Sequence, residues 1–322
     1  MSNDKRQLLK ARGFAAAAAT GTVALQNILR ILKGDGFGVL FLVFLRYAGA
    51  VAISSVLVIR HVPTPAGARH KLLSRFRLKD RAQSKRLSIR GYLMFGVSLG
   101  VVVGALLLNN TQFTTMSLGT VSVFVQLIGY RFFDMVIDRP VYLVISIILS
   151  AIGVGFTAAS DWTDIVAIST GFAVVVFTSV CNATNQLLGK RANEFGDNRY
   201  LVMFYQSIVG FIASLSAIVL SLVNAWTLLT RGNLPWHTLA PLVLGVCVLG
   251  FLPALWLHRS TEQVSPGRVS AVAIIQMPIG FMIDWLGFDI LPNTFGWIAI
   301  SLLVGGAYCS IRANQPVDKQ KP

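Results

Sequence analysis

Several polar side chains lie inside long apolar segments of the sequence, where each needs a partner or a ligand. Arg46 is the clearest case, because it lies nine residues into the apolar segment 37–59, a depth of about 14 Å in a helix. Placing an arginine at the centre of a membrane helix costs roughly 2.5–3.5 kcal/mol. Two interpretations fit this position. Arg46 has a structural partner on another helix, or it contacts an anion in a cavity.

Amide side chains form a second group of candidates. Steps of three, four and seven residues return to the same face of a helix, and two apolar segments have polar residues at such steps, while single glutamines interrupt other segments. These residues are Thr20, Asn27 and Arg30 in segment 12–32, Thr178, Asn182 and Asn185 in segment 165–188, and Gln126, Gln206 and Gln276 elsewhere. Amides can hydrogen-bond sugar hydroxyls, but they also join helices inside a membrane at about 0.6–2 kcal/mol each. Both interpretations stay open.

The apolar segments predict an all-α integral membrane protein. Of the 322 residues, 54% are hydrophobic and 13% are charged, whereas a soluble domain has about 25% charged residues. A helix needs roughly 20 residues to cross a bilayer, and ten segments approach or reach this length. They cover residues 12–32, 37–59, 91–108, 118–133, 141–159, 165–188, 201–226, 239–257, 269–285 and 294–311.

The basic residues fall on one side of this ten-span arrangement. Cytoplasmic loops carry the excess of Lys and Arg, and residues 69–90 hold nine of them against one acidic residue, Asp80. We therefore predict cytoplasmic N- and C-termini, and a basic loop that can also bind anionic lipid. The predicted division is a cytoplasmic N-terminus 1–11, a first five-helix repeat 12–159 with the basic cytoplasmic loop 60–90, a second five-helix repeat 160–311, and a cytoplasmic tail 312–322.

Other chemistry has little support in the sequence. The four histidines fall on predicted loops and span ends without metal-ligand spacing, and the three cysteines lie inside apolar segments. No phosphate-binding P-loop is present. We expect no enzyme activity, no cofactor and no metal site. The net charge of +15 is explained by loops on one side of a membrane rather than by nucleic-acid binding.

The two halves of the sequence resemble each other. Ser117 and Ser265 each begin the pattern S-x-G-x-V-S, and the pair Thr20 and Asn27 recurs with the same spacing as Thr178 and Asn185. Five spans is an odd number, so the second copy must insert upside down, which is the inverted-repeat architecture of many secondary transporters. Within span three, Gly96, Gly100 and Gly104 predict close helix packing.

Residues 108–125 and 276–308 are similar to the drug/metabolite transporter superfamily, whose members have ten spans built as five plus five. Within the superfamily, residues 182–211 resemble the nucleotide-sugar and triose-phosphate branch. Phe204 and Tyr205 match the F-Y-N-N-V motif of GDP-mannose carriers, while Gln206 and Ser207 replace its two asparagines.

This resemblance implies an alternating-access antiporter that exchanges an anionic, nucleotide-sugar-like metabolite for a nucleotide monophosphate in the Golgi or endoplasmic reticulum. One alternative is an exporter of amino acids, drugs or other metabolites in a plasma or inner membrane. Another is a membrane scaffold that transports nothing, and a homodimer is also left open. The substrate-binding candidates are Asn27, Arg30, Arg46, Gln126, Asn182, Asn185, Tyr205, Gln206 and Gln276.

Overall fold

The computed structural model describes residues 3–36, 38–64, 72–107, 110–159, 165–220, 235–264, 269, 276–289 and 293–313, and the regular elements within them are all helices. A short 3-10 turn, Leu73–Phe76, lies between the second and third α-helices. The α-helices are α1 (Asn3–Gly34), α2 (Val39–His61), α3 (Arg81–Leu107), α4 (Asn110–Phe132), α5 (Pro140–Ala159), α6 (Ile165–Glu194), α7 (Arg199–Leu220), α8 (Trp236–Gln263), α9 (Gln276–Phe288) and α10 (Thr294–Ala313).

Seven of these helices contain a stretch long and apolar enough to cross a membrane, and α10 has a shorter apolar stretch, Thr294–Ser310. Along α5, the large apolar side chains of Val141, Val144 and Ile148 are exposed, as expected of a surface that lipid covers. These features fit a multi-pass, all-α membrane protein. Ten spans with both termini in the cytoplasm stay a prediction.

Several contacts between helices have a counterpart when α1–α5 are exchanged for α6–α10. The α1–α8 contact corresponds to the α6–α3 contact, and α2–α8 corresponds to α7–α3. The α2–α7 and α5–α10 contacts map onto themselves. Two similar sets of helices related by a pseudo-two-fold axis would produce this pattern.

Glycines bring α3 close to α6. A methyl group on Gly96 would lie 3.2 Å from the Sγ atom of Cys181, and one on Gly100 would overlap the hydroxyl group of Thr178. Larger residues at these two positions would push the helices apart. The predicted close packing is therefore confirmed for Gly96 and Gly100.

Helix α3 begins ten residues earlier than the predicted span, so the basic loop is shorter than 60–90. Asp80 lies before the first turn, and its Oδ1 atom accepts a 2.6 Å hydrogen bond from the Gln83 N–H. The Gln83 side chain in turn accepts a 2.7 Å hydrogen bond from the Lys79 N–H. Such reciprocal contacts satisfy backbone groups at a helix N-terminus. Residues 81–90 are consequently helical, although their many charges resembled those of a loop.

A sharp turn joins α6 to α7. Gly196 has φ +66°, a conformation that favours glycine at a helix C-terminus. The Asp197 N–H bonds to Ala192 O and the Gly196 N–H to Asn193 O, both at 3.0 Å, which is the Schellman arrangement. This turn directs Asp197 back toward the start of α3.

Candidate functional site

A cavity of about 130 Å³ lies among α1, α2, α3, α4, α6, α7, α8 and α9. Both sets of helices, α1–α5 and α6–α10, contribute polar side chains to its wall. These are Thr22, Gln26, Arg46, Arg90, Ser117, Thr178, Asn182, Asn185, Gln186, Gln206, His258, Thr261 and Gln276. Binding groups from both sets of helices therefore meet in one space.

The described residues in the wall of this cavity include basic side chains but no acidic one. Arg46, Arg90 and His258 line it, and no Asp or Glu is among the lining residues. Arg46 and Arg90 are 8% and 3% exposed, and neither takes part in an ion pair with a described carboxylate. Buried charges without a counter-ion are unfavourable, so the cavity favours an anion.

Arg46 reaches the cavity by crossing α8 at a glycine. A methyl group on Gly250 would lie 2.5 Å from the Cγ atom of Arg46, so any larger residue there would collide with the arginine. The Arg46 Nε atom donates a 3.4 Å hydrogen bond to Gly250 O. Pro253, one turn further along α8, has no N–H to donate. One backbone hydrogen bond of α8 is thus missing beside the crossing.

Residues of α3, α6 and α8 form a polar cluster in the cavity wall. The Arg90 Nε atom donates a 3.2 Å hydrogen bond to Asn185 Oδ1, which fixes the orientation of the guanidinium group. Arg90 Nη1 and both ring nitrogens of His258 are buried without a hydrogen-bond partner among the described residues. Gly189 lies beside both side chains, since a methyl group there would be 3.1 Å from Arg90 Nη2 and 3.9 Å from His258 Nδ1. We name Arg90, Asn185, Gly189 and His258 the Arg90 cluster.

Gln206 supplies a further unused polar group. It lies on α7 at the cavity wall, and its Oε1 atom is buried without a described partner. Buried polar atoms are rarely left unpaired. Together with the Arg90 cluster, this oxygen indicates a cavity built to hold a polar molecule.

The lining residues recur at a separation of 160 positions between the two sets of helices. Such pairs, all at the cavity, are Thr22 with Asn182, Arg46 with Gln206, and Met94 with Ala254. The predicted pairing of Thr20 and Asn27 with Thr178 and Asn185 uses a separation of 158. Thr20 is exposed and bonds back to Ala16 O at 3.1 Å. The face of α1 that lines the cavity is therefore two residues away from the predicted one.

Five of the predicted binding residues line the cavity, namely Arg46, Asn182, Asn185, Gln206 and Gln276. They come from α2, α6, α7 and α9, and the first and last of them, Arg46 and Gln276, are 230 positions apart in the chain. Asn182 Oδ1 also accepts a 3.4 Å hydrogen bond from Gln186 Nε2. Tertiary packing thus brings together residues that the sequence distinguishes only by their polarity within apolar segments.

The other four predicted residues, Asn27, Arg30, Gln126 and Tyr205, are not part of the cavity wall. Asn27 Nδ2 donates to Val23 O within α1 at 2.8 Å, and Gln126 Nε2 joins α4 to α10 through Ser310 O at 2.8 Å. Arg30, half-buried, lies near the end of α1.

The Tyr205 hydroxyl donates a 2.6 Å hydrogen bond to Phe76 O, and the ring of Phe204 packs on Phe76 at 4.7 Å between centroids. The Phe-Tyr pair that carried the resemblance therefore anchors the 3-10 turn after α2.

Arg90 and His258 are lining residues that sequence reasoning missed. The charged and polar residues around them predict that Arg90 lies in the basic loop and His258 at a span end. Helical periodicity could have indicated Arg90. Leu87, Arg90, Met94 and Val97 follow one another at steps of three and four residues, so they share one face of a helix.

Next to the Arg90 cluster, ionic contacts join the ends of α3, α7 and α8. Asp197 accepts hydrogen bonds from Gln83 Nε2 at 2.8 Å and Arg86 Nη2 at 3.4 Å. Arg199 and Glu262 form an ion pair at 3.2 Å. Asp197 and Glu262 therefore have partners of their own and form no described ion pair with Arg90, although the charge of Asp197 also acts on it.

Within the described part of the chain, no group of three or more His, Cys, Asp or Glu residues could hold a metal ion. The polar side chains described at the cavity wall are arginines, amides, hydroxyl groups and one histidine.

No protein-family model and no curated protein matches the chain. Twenty-six chains of solved structures are similar to it. One of them, described only as "Crystal structure of protein", is 14% identical with a TM-score of 0.59, and the match covers 93% of this chain and 97% of that chain. At this level of identity the likeness shows the fold alone.

Proposed function

We propose that this protein is a secondary transporter that carries a small organic anion by alternating access. The observation that carries the proposal is the cavity that Arg46 and Arg90 line, where the described lining residues include no Asp or Glu. A membrane protein tolerates buried arginines where they face a cavity or a ligand. An anionic substrate would supply the missing counter-charge.

The helix packing supports the transporter architecture. Contacts that persist on exchange of α1–α5 for α6–α10, and lining residues that recur at 160 positions, are expected for two repeats that face each other across a substrate site. With five spans in each repeat, the second would be inverted, as in many secondary transporters. The resemblance to the drug/metabolite transporter superfamily agrees with this architecture, and the basic residues favour cytoplasmic termini.

The size of the cavity limits what fits inside in this conformation. An engineered cavity of about 150 Å³ holds benzene, whereas sites for drug-sized ligands measure about 300–1,000 Å³. The 130 Å³ cavity would enclose a small anion or the anionic part of a larger one. A nucleotide sugar, with exchange for a nucleotide monophosphate across a Golgi or endoplasmic reticulum membrane, would require the two sets of helices to separate.

An exporter of amino acids, drugs or other metabolites is the second candidate. It is favoured by the apolar part of the cavity wall, which includes Leu25, Met94, Leu249 and Leu257. An amphiphilic molecule would place its apolar part there. Such a substrate would leave the exchange requirement and the endomembrane location without support.

Exchange is expected to be faster than net transport. An empty carrier must change conformation with two buried arginines that form no ion pair with a described carboxylate, while a loaded carrier holds an anion beside them. The empty form should therefore return slowly.

The test is uptake into proteoliposomes that contain the purified full-length chain and are either empty or preloaded. Labelled probes are inorganic phosphate, glucose 6-phosphate, UDP-glucose and leucine, and the internal counter-substrates are the same unlabelled compounds and UMP. Protein-free liposomes give the background. We expect uptake of at least one anion, with a several-fold faster initial rate after preloading.

Equal rates with and without preloading would reject obligate exchange. Uptake of leucine but of none of the anions would favour the exporter. Background rates for all probes, in protein that gives a sharp unfolding transition, would favour the scaffold.

A further inference from the structure

The geometry points to an oxyanion-binding subsite in the Arg90 cluster, where Arg90 and His258 grip a phosphate or carboxylate group of the transported molecule. This inference rests on the proposed function, because the cluster lies in the wall of the same cavity. It adds a defined position and a chemical class for the anionic end of the substrate, separate from Arg46.

Arg90 is oriented for this task before any ligand arrives. Its Nε atom is held by Asn185 Oδ1 at 3.2 Å, which leaves the two terminal nitrogens of the guanidinium fork. Of these, Nη1 is buried with no hydrogen-bond partner among the described residues. A planar fork fixed at one edge presents its remaining donors in the geometry that carboxylate and phosphate oxygens match.

His258 complements the arginine. It is 3% exposed, and both of its ring nitrogens lack a partner in the described part of the chain. A neutral imidazole has one donor and one acceptor. The donor would bind an oxygen of the anion, and the acceptor would take a hydrogen bond from a hydroxyl group, either on a singly protonated phosphate or on the substrate itself.

The surroundings leave the positive charge of Arg90 for a ligand. Asp197, whose charge acts on Arg90, is already bonded to Gln83 and paired with Arg86. A buried polar group without a partner is costly, and an oxyanion would satisfy Arg90 and His258 at once. No described group at the cavity wall carries a negative charge.

Gly189 keeps this subsite open. A methyl group there would lie 3.1 Å from Arg90 Nη2, which is closer than ordinary van der Waals contact. The change Gly189→Ala therefore adds bulk next to the fork without altering charge. It tests the subsite by shape, independently of a variant that removes the arginine.

The experiment measures binding to the purified full-length protein in detergent by calorimetry and by the ligand-induced shift of the unfolding temperature. The probes are sodium phosphate and sodium succinate, with sodium chloride at matched ionic strength as the reference. The variants are Arg90→Gln, Gly189→Ala and, as a matched loss of charge outside the cavity, Arg60→Gln, whose side chain is exposed.

We expect phosphate or succinate to bind the wild type and Arg60→Gln equally, and Arg90→Gln at least about tenfold more weakly, as for the loss of a charge-assisted hydrogen bond. Gly189→Ala should also weaken binding. The probe that binds identifies the oxyanion as phosphate or carboxylate.

The inference is overturned if neither probe binds the wild type, or if both Arg90→Gln and Gly189→Ala bind as the wild type does. If Arg90→Gln does not fold, Gly189→Ala decides alone. Loss of binding in the variants while the wild type transports nothing into liposomes would retain the subsite and reject the transporter. Normal uptake with unchanged binding in the variants would reject the subsite and retain the transporter.

Discussion

The Nε atom of Arg46 on α2 donates a hydrogen bond to the backbone oxygen of Gly250 on α8, 3.4 Å away. The two residues are 204 positions apart in the chain. Gly250 has no side chain, and this allows the aliphatic part of Arg46 to pass α8 and reach the cavity. The contact therefore connects one buried charge to the backbone of the opposite set of helices.

Replacing Gly250 should disturb this crossing. In Gly250→Ala, the new methyl group would lie 2.5 Å from Arg46 Cγ, so we expect a loss of about 1–3 kcal/mol of stability and weaker anion uptake. Gly155→Ala is the control, because a methyl group there meets nothing within 4 Å. The measurements are the unfolding temperature in detergent and initial uptake rates. Equal behaviour of the two variants would contradict the crossing as described.

Substitutions of Arg46 distinguish a binding role of this residue from a structural one. If it contacts the anion, Arg46→Gln should fold and lose uptake by about tenfold or more, while Arg46→Lys should keep part of it. Lysine retains the charge but loses the planar fork. The measurements are uptake and size-exclusion chromatography. Aggregation of Arg46→Gln, with normal ligand binding by the fraction that stays folded, would make Arg46 a structural residue.

The two asparagines that the sequence paired should behave differently. Asn185→Ala removes the group that orients Arg90, so KM for the anion should rise about fivefold, as expected for one lost hydrogen bond. Asn27→Ala should leave KM unchanged, because Asn27 lies outside the cavity wall. Uptake kinetics with both variants measure the contrast. A higher KM in Asn27→Ala with a normal Asn185→Ala would show that the predicted register of α1, and not the observed one, describes the site.

Tyr205 is expected to hold the 3-10 turn and not the substrate. Tyr205→Phe removes the bond to Phe76 O at a cost of about 1 kcal/mol, so trypsin should cleave faster at Arg77 and Lys79 while KM stays constant. Tyr92→Phe is the control, since the ring of Tyr92 is exposed. A raised KM together with unchanged proteolysis would restore the substrate-binding role that the resemblance implies.

The ten-span arrangement predicts the side from which single cysteines react. In a chain without Cys181, Cys247 and Cys309, a cysteine at Ala82 should be labelled from the cytoplasmic side and one at Thr294 from the opposite side. Both positions are exposed and lie at the starts of α3 and α10. A membrane-impermeant maleimide on intact and opened cells makes the measurement. Reaction of both positions from the same side would exclude the predicted topology.

Properties that depend on neighbouring residues were readable from the sequence. The length and apolarity of a segment determine whether it can cross a bilayer. The glycines of the third predicted span, and the polar residues of the first and sixth, recur at the spacing of helical turns, which is also a local property. Arg46 stood out because its depth within one apolar segment is a local property. Even the early start of α3 was encoded locally, by Asp80 and Gln83, although the charge density of residues 69–90 favoured a loop.

The composition of the site depends on contacts between distant helices. A helix with several polar faces does not reveal which face meets a neighbour. On α1, packing against α8 turns Thr22 and Gln26 toward the cavity and leaves Thr20 exposed. Arg90 and His258 became binding candidates only when α3, α6 and α8 met around Gly189 and left their nitrogens buried without described partners. Burial and hydrogen bonding are set by residues that are remote in the chain, so tertiary structure decided which polar residues face a ligand and which hold the helices together.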